Sequence, residues 1–248
     1  MRLEPLDDSS HQRLVHLAAK ANYRLIPTNS VQPRQTSIID LTQDDATILA
    51  RMHSKHRYNL RIAERFGVNV SIYSENLTNY FPHFWELLSQ TASRQGFRTH
   101  PKHYYVEMLR ALEPEGMVHL LFAEHADRTL ATLLLITYAG TATYLHGGSA
   151  ADGREVKAPN KLHWEAIQLA KRLHCTQYDL WGVEAVQDSA GHWVPREGHA
   201  SEGVSRLKLG FGGDVVNYPG CFDVVIDPFW YSAYKSIRAL RSHKRAFQ

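Results

Sequence analysis

The spacing of apolar positions changes several times along the chain, and each change marks an element. Residues 8 to 22 suit a short helix, and residues 23 to 41 read as an irregular connection, interrupted by Pro27 and Pro33, that ends in a strand at Ile38 and Ile39. Leu49, Met52, Leu60 and Ala63 form an apolar seam at helical spacing, predicting one long helix from Asp44 to Phe66 that Gly67 stops. Residues 67 to 73 alternate as a strand does. Two helices follow at 77 to 95 and 101 to 112, the second opened by Pro101 in its first turn.

Three strands then come close together, at 118 to 123, 129 to 138 and 141 to 147, with connections short enough for antiparallel hairpins. A helix at 159 to 173 precedes a strand at 177 to 181. A polar loop with Gly191 and Pro195 leads to a short helix at 202 to 209, strands at 214 to 218 and 221 to 226, and a final helix from Pro228. From residue 67 onward this is the order of the acetyltransferase-like (GNAT) fold, an α+β arrangement around a mostly antiparallel mixed sheet. The expected division is residues 1–41 as a remnant and connection and residues 42–248 as the GNAT-like domain, carrying a basic C-terminal helix.

Composition narrows the class. Hydrophobic residues are 44% of the 248, enough for a sizeable core, yet no run of 18 is uninterrupted enough to span a membrane. Cys175 and Cys221 form no motif, so neither a disulfide framework nor a zinc ribbon is expected, and a reducing cytoplasmic setting fits. The net charge of +3 is unevenly placed. Residues 51 to 66 hold Arg51, Lys55, Arg57, Arg61 and Arg65 against Glu64 alone, and residues 235 to 248 hold Lys235, Arg238, Arg241, Lys244 and Arg245 with no acid. Two positive patches on an otherwise acidic body suit a polyanionic partner; solvated helix faces are the plainer explanation.

The GNAT layout suggests coenzyme A first. Such enzymes cradle a pyrophosphate on a loop entering a helix, through an Arg/Gln-x-x-Gly-x-Gly/Ala pattern. That pattern is missing: the stretch from Arg206 to Gly213 has an extra residue between its arginine and first glycine, and it follows the later helix. Paired histidines at 53 and 56, and at 100 and 103, have helical spacing but no companion carboxylate or cysteine for a metal.

Several segments, taken together, resemble the Fem family, whose members build peptidoglycan interpeptide bridges. They are residues 52–68, Arg94 to Phe97 with His100, Tyr104 and Tyr105, Tyr144 to Ser149, Ala158 and Pro159 with Trp164 to Ile167, Tyr178 to Val183, and Gly203 to Gly213. They occur in the family's order over roughly residues 38 to 240. The resemblance implies a tRNA-dependent aminoacyltransferase without a cofactor. An aminoacyl-tRNA ester is attacked by an amine on the stem peptide of a lipid-linked or UDP-linked muropeptide, with peripheral contact at the inner membrane surface. An activated ester mainly needs an aligned amine and a cation for the developing oxyanion.

Residue by residue, Lys208 matches the family's catalytic-site lysine, although Leu207 stands where an aromatic residue is usual. Arg98, His100 and Tyr104 match the muropeptide-binding region, with His100 in place of the usual arginine, and Tyr144 matches a substrate-contacting tyrosine. Arg57, Arg61 and Arg65 recur every four residues and could track phosphates of the tRNA acceptor stem or the lipid pyrophosphate, and Arg206 is a further substrate-binding candidate. For each there is a structural alternative: an exposed helix lysine, a capping cluster, a core tyrosine, a solvated face. Asp179 and Glu165 could serve as bases, but no base is assigned, and Asp179 fits equally well as a loop anchor. Family members carry two GNAT-like domains, so the shorter first segment leaves three readings: an inactive remnant that only binds tRNA or membrane, a half supplied by another chain, or a smaller substrate. A coenzyme A-dependent N-acyltransferase is the competing enzyme.

Overall fold

The computed structural model describes residues 1–246, with side chains in the closing helix described through Arg238. The chain divides into two compact units, residues 35–216 and residues 1–34 together with those from 217 onward. In chain order the elements open with β1 (Arg2–Leu3), α1 (Asp8–Lys20), β2 (Arg24–Thr28) and β3 (Gln35–Asp40). Next come α2 (Asp45–Arg51), α3 (Ser54–Arg65), β4 (Asn69–Tyr73), α4 (Leu77–Gln95) and α5 (Lys102–Leu112). The centre holds β5 (Val118–His125), β6 (Arg128–Tyr138), β7 (Thr141–Ser149), α6 (Ala158–Arg172) and β8 (Gln177–Asp179). The chain closes through β9 (Ala185–Gln187), β10 (Trp193–Pro195), α7 (Glu202–Leu209), β11 (Asp214–Asn217), β12 (Cys221–Val225) and α8 (Pro228–Ala246).

The larger unit is built on a seven-stranded sheet in the order β11-β3-β8-β7-β6-β5-β4. Strands β4 to β7 pair antiparallel through short connections, whereas β7 and β8 lie parallel. Parallel neighbours need a crossover, and α6 supplies it. Strand β5 shows why the sheet is covered on both faces. Its Val118, Leu120 and Phe122 pack with Phe84, Leu88, Tyr105 and Leu109 of α4 and α5. Its Leu121 and Ala123 join the cluster that holds Ala166, Ile167 and Ala170 of α6. Each large side chain so buried contributes about 1.5–3 kcal/mol.

Three expectations need correction. The single helix from Asp44 to Phe66 is two helices, because Met52 (ψ 144°) and His53 (ψ 140°) are extended between them. There the His53 Nδ1 accepts the Lys55 N–H (3.2 Å), its backbone N–H reaches the Gly210 carbonyl (2.9 Å), and Arg57 donates to the carbonyls of Ala50 and Met52. These caps outcompete one continued turn. The polar loop after β8 contains a hairpin of β9 and β10, turned by Asp188, whose carboxylate accepts the N–H groups of Ala190 and His192 (2.9 and 2.8 Å). The connection from 23 to 41 contains β2, an edge strand in which Pro27 is tolerated.

The smaller unit also departs from the expected division at 41/42. Its three-stranded antiparallel sheet has the order β1-β12-β2, so the late strand β12 pairs between two early ones. Arg2 forks onto Asp223 (2.8 and 3.1 Å), and His11 of α1 stacks on Phe222 at 4.5 Å. Trp230, Tyr231, Tyr234 and Ile237 would be expected to pack α8 down. Of these four, Tyr231 does so, donating to Asp223 (3.1 Å), while Trp230 is 69% exposed and Tyr234 and Ile237 about half exposed. Lys235 and Arg238 are exposed; Arg241, Lys244 and Arg245 lie outside the described side chains. No described helix is long and apolar enough to cross a membrane.

Candidate active site

The candidate site lies wholly in the larger unit, where β7, α6, α7 and the turn after β8 converge. Strand β7 prepares one wall. Its pairing with β6 slips between Leu134 and Leu135, so that Leu134 faces His146 and Leu135 faces Tyr144. A bulge of this kind redirects the side chains on either side of it. Tyr144 accordingly meets His163 of α6 edge-on at 4.6 Å, while His146 meets Tyr105 of α5 at 5.1 Å and His100 at 6.1 Å. Both still line a cavity of about 250 Å³, together with Lys208, Leu207 and His163.

The two glycines of β7 let other atoms approach its backbone. A Cβ at Gly147 would meet the Tyr144 hydroxyl at 2.7 Å, so the tyrosine ring folds back along its own strand only because residue 147 is bare. A Cβ at Gly148 would lie 2.4 Å from the Leu87 carbonyl oxygen, so α4 packs directly on the strand. Thr91 of α4 fixes that contact by donating to the Ser149 carbonyl (3.1 Å) and accepting the Ser149 N–H (2.9 Å).

Helix α7 presents Lys208 from the opposite side. The lysine is 6% exposed, which excludes a free surface side chain. Its Nζ donates to the carbonyls of Trp181 (3.2 Å) and Gly182 (2.9 Å) and sits 5.2 Å from the centre of the Tyr144 ring. An ammonium has three N–H groups, so one is left for a ligand. Burial lowers the Lys208 pKa to about 8, against which the charge of Asp179 pulls upward. The lysine remains mostly cationic at neutral pH.

The rings around the lysine are neutral. Burial depresses His146 to about 4 and His163 to about 3, with Lys208 adding to both, and raises Tyr144 to about 12. The His146 Nε2 is buried with no hydrogen-bond partner. His163 binds the Tyr178 hydroxyl (3.0 Å), and His56, also depressed by burial to about 4, binds Asn160 (3.0 Å). A lone cation among neutral rings in a small cavity is what developing negative charge requires.

The sequence-derived candidates separate into groups. Lys208 and Tyr144 meet in the cavity. His100 and Tyr104 stack on each other at 4.2 Å at the start of α5; neither lines the cavity, and His146 links them to it. Arg98 is exposed in the segment between α4 and α5. Arg206 points outward on α7 in an ion pair with Glu202, and Arg61 is exposed on α3. The Arg57 guanidinium is taken up by the end of α2. Glu165 pairs with Lys161 (2.9 Å).

The glycines after Lys208 serve packing. A Cβ at Gly210 would meet the His56 ring at 2.0 Å, one at Gly212 the Arg51 carbonyl at 2.2 Å, and one at Gly213 the Ser37 hydroxyl at 2.6 Å. Residues that sequence reasoning passed over are His146, His163 and the Trp181–Gly182 carbonyls. The one available signal was the tryptophan-glycine pair directly after a short strand.

Comparisons with known proteins identify the family and the fold. The sequence profile described as the FemAB family matches residues 21–124 and 115–239. Among solved structures, the crystal structure of FemX superposes with a TM-score of 0.77 at 15% identity, over 94% of this chain and 73% of that one. The C-terminal domain (DUF2156) of an Agrobacterium fabrum protein described as a putative lysylphosphatidylglycerol synthetase follows at 0.57 and 12%, over 96% and 72%. A conserved protein of unknown function from Bacteroides thetaiotaomicron gives 0.55 and 8%, over 89% and 68%. No curated protein matches by sequence. These likenesses establish the GNAT-like α+β fold.

Proposed function

The chain belongs to the FemAB family, and from that premise we propose that it transfers an aminoacyl group from tRNA to an amine on the stem peptide of a lipid-linked or UDP-linked peptidoglycan precursor. The observation that carries the proposal is the Lys208 ammonium, buried over Tyr144 with two N–H groups on carbonyls and its side chain lining a cavity. In the reaction the amine attacks the ester carbonyl carbon, and the C–N bond forms as the carbonyl oxygen takes negative charge. Lys208 stabilises that oxygen. Collapse breaks the bond to the ribose oxygen, which leaves with a proton while the attacking nitrogen gives one up. Tyr144 forms the wall that confines the ammonium; His100 and Tyr104, reached through His146, are the proposed muropeptide contacts. Arg98, Arg61 and Arg206 supply exposed charge for substrate phosphates. No coenzyme is required, because the ester is already activated.

Incubating the protein with a mixture of charged tRNAs and each precursor tests this directly. Radiolabelled amino acid should appear in the precursor, and Lys208→Ala should slow its appearance by about 10²–10³-fold; equal transfer by that variant, or none by the wild type, sinks the proposal. Thermal stabilisation by acetyl-coenzyme A but not by precursor would favour the competing N-acyltransferase.

A further inference from the structure

Directly after β8 the backbone does something costly. Trp181 has φ +58°, in the left-handed region that a bulky side chain rarely adopts. The residue that holds it there is Asp179, a carboxylate only 5% exposed. Its Oδ1 accepts the Trp181 N–H at 2.7 Å and also the Thr36 hydroxyl. The turn so formed directs the carbonyls of Trp181 and Gly182 at the Lys208 Nζ. Asp179 makes no ion pair with the lysine, and its own proton affinity is raised by burial, yet each charge steadies the other through space. A direct ion pair would occupy the N–H that a substrate oxygen needs; two neutral carbonyls hold the ammonium and leave that N–H open.

We propose that Asp179 is a positioning residue for Lys208: its carboxylate holds Trp181 in the left-handed turn whose carbonyls grip the ammonium, and its charge offsets the ammonium across that turn. The consequence for catalysis rests on the transfer reaction proposed above; the effect on Lys208 itself does not. The other groups facing the lysine are Tyr144 and His146 from β7 and His163 from α6, with Glu202 and Arg206 paired to each other on its own helix. None of these is a second anion free to act in place of Asp179.

Competitive acylation of the full chain across pH, with the Lys208 peptide read by mass spectrometry, tests the proposal without substrate. Wild-type Lys208 should titrate near pH 8. Asp179→Asn keeps an acceptor for the Trp181 N–H but removes the charge, so the midpoint should fall by about one pH unit. In the transfer assay kcat at pH 7 should fall with KM unchanged, and recover as the pH is lowered. Asp179→Ala, losing turn and charge, should depress kcat at every pH. An unmoved Lys208 midpoint in a folded Asp179→Asn overturns the proposal. Should that variant not fold, Lys208→Met provides the reciprocal measurement: the Asp179 carboxyl, followed by carbon NMR, should titrate at higher pH than in the wild type, and an unchanged titration is equally fatal. A shifted Lys208 midpoint alongside wild-type protein that aminoacylates nothing upholds the positioning and refutes the transfer.

Discussion

Helix α7 carries two cations two residues apart whose circumstances differ completely. Lys208 faces inward, 6% exposed, held by two carbonyls and a tyrosine face. Arg206 faces outward and meets Glu202, one turn earlier on the same helix. The same contrast separates the cavity walls from the other basic positions, Arg61 and Arg98, which stand in solvent. A charge in water is screened and contributes little beyond attraction, whereas a buried one is strong and held in place, but must be supported on every side. Positive charge at the rim can gather a polyanion. Only the interior can act on a single oxygen atom.

Removing the interior charge should therefore have the largest effect. Lys208→Ala is expected to lower kcat about 10²–10³-fold with little change in KM, measured under saturating charged tRNA. In the wild type the same dependence should appear as a fall in rate above about pH 8, where the ammonium is lost.

Acid should damage the interior next. His56, His146 and His163 have folded pKa values of about 4, 4 and 3, below the ordinary 6.5. The unfolded chain therefore takes up these protons first, and their contribution, present above about pH 6.5, is lost as the pH falls toward 4. Denaturant midpoints should show stability dropping by about 2–4 kcal/mol between pH 7 and pH 5. Replacing His163 with Gln should flatten that slope. An unchanged slope would mean that the imidazoles are already solvated.

The contrast also explains what could be read from the sequence. The central strands and α4, α5 and α6 were legible because long apolar runs and helical seams record burial directly, as in β5 and in α4, where the expected 77–95 is the observed span. The break at Met52 and His53 left no such record, since it depends on Gly210, a residue more than 150 positions away. β12 was legible as a strand but not as the partner of β1 and β2, which is a matter of topology. At the site, Lys208 and Tyr144 could be found by resemblance, while the support for Lys208 comes from backbone carbonyls, which no side-chain pattern records. Asp179 was visible as a candidate base or as a loop anchor. The second is its structural role, and the loop it anchors holds the lysine.

Glycines sharpen the comparison with smaller effects. Gly148 lies where α4 touches β7, and Gly148→Ala should cost about 1–3 kcal/mol, because the new Cβ meets the backbone of Leu87 and neither element can yield easily. Gly203 sits on the exposed side of α7, where an added Cβ would have nothing within 4 Å, and its φ is not left-handed. Gly203→Ala should therefore gain about 0.5 kcal/mol by restricting the unfolded chain. Arg206→Ala, on the same outer face, should change stability by less than about 1 kcal/mol, because an exposed i,i+4 pair contributes little. Its effect belongs in KM for charged tRNA, growing as salt is lowered, with kcat untouched. If Arg206→Ala instead lowered kcat as Lys208→Ala does, the outer face of α7 would be part of the reacting site and the division between rim and interior would have to be abandoned.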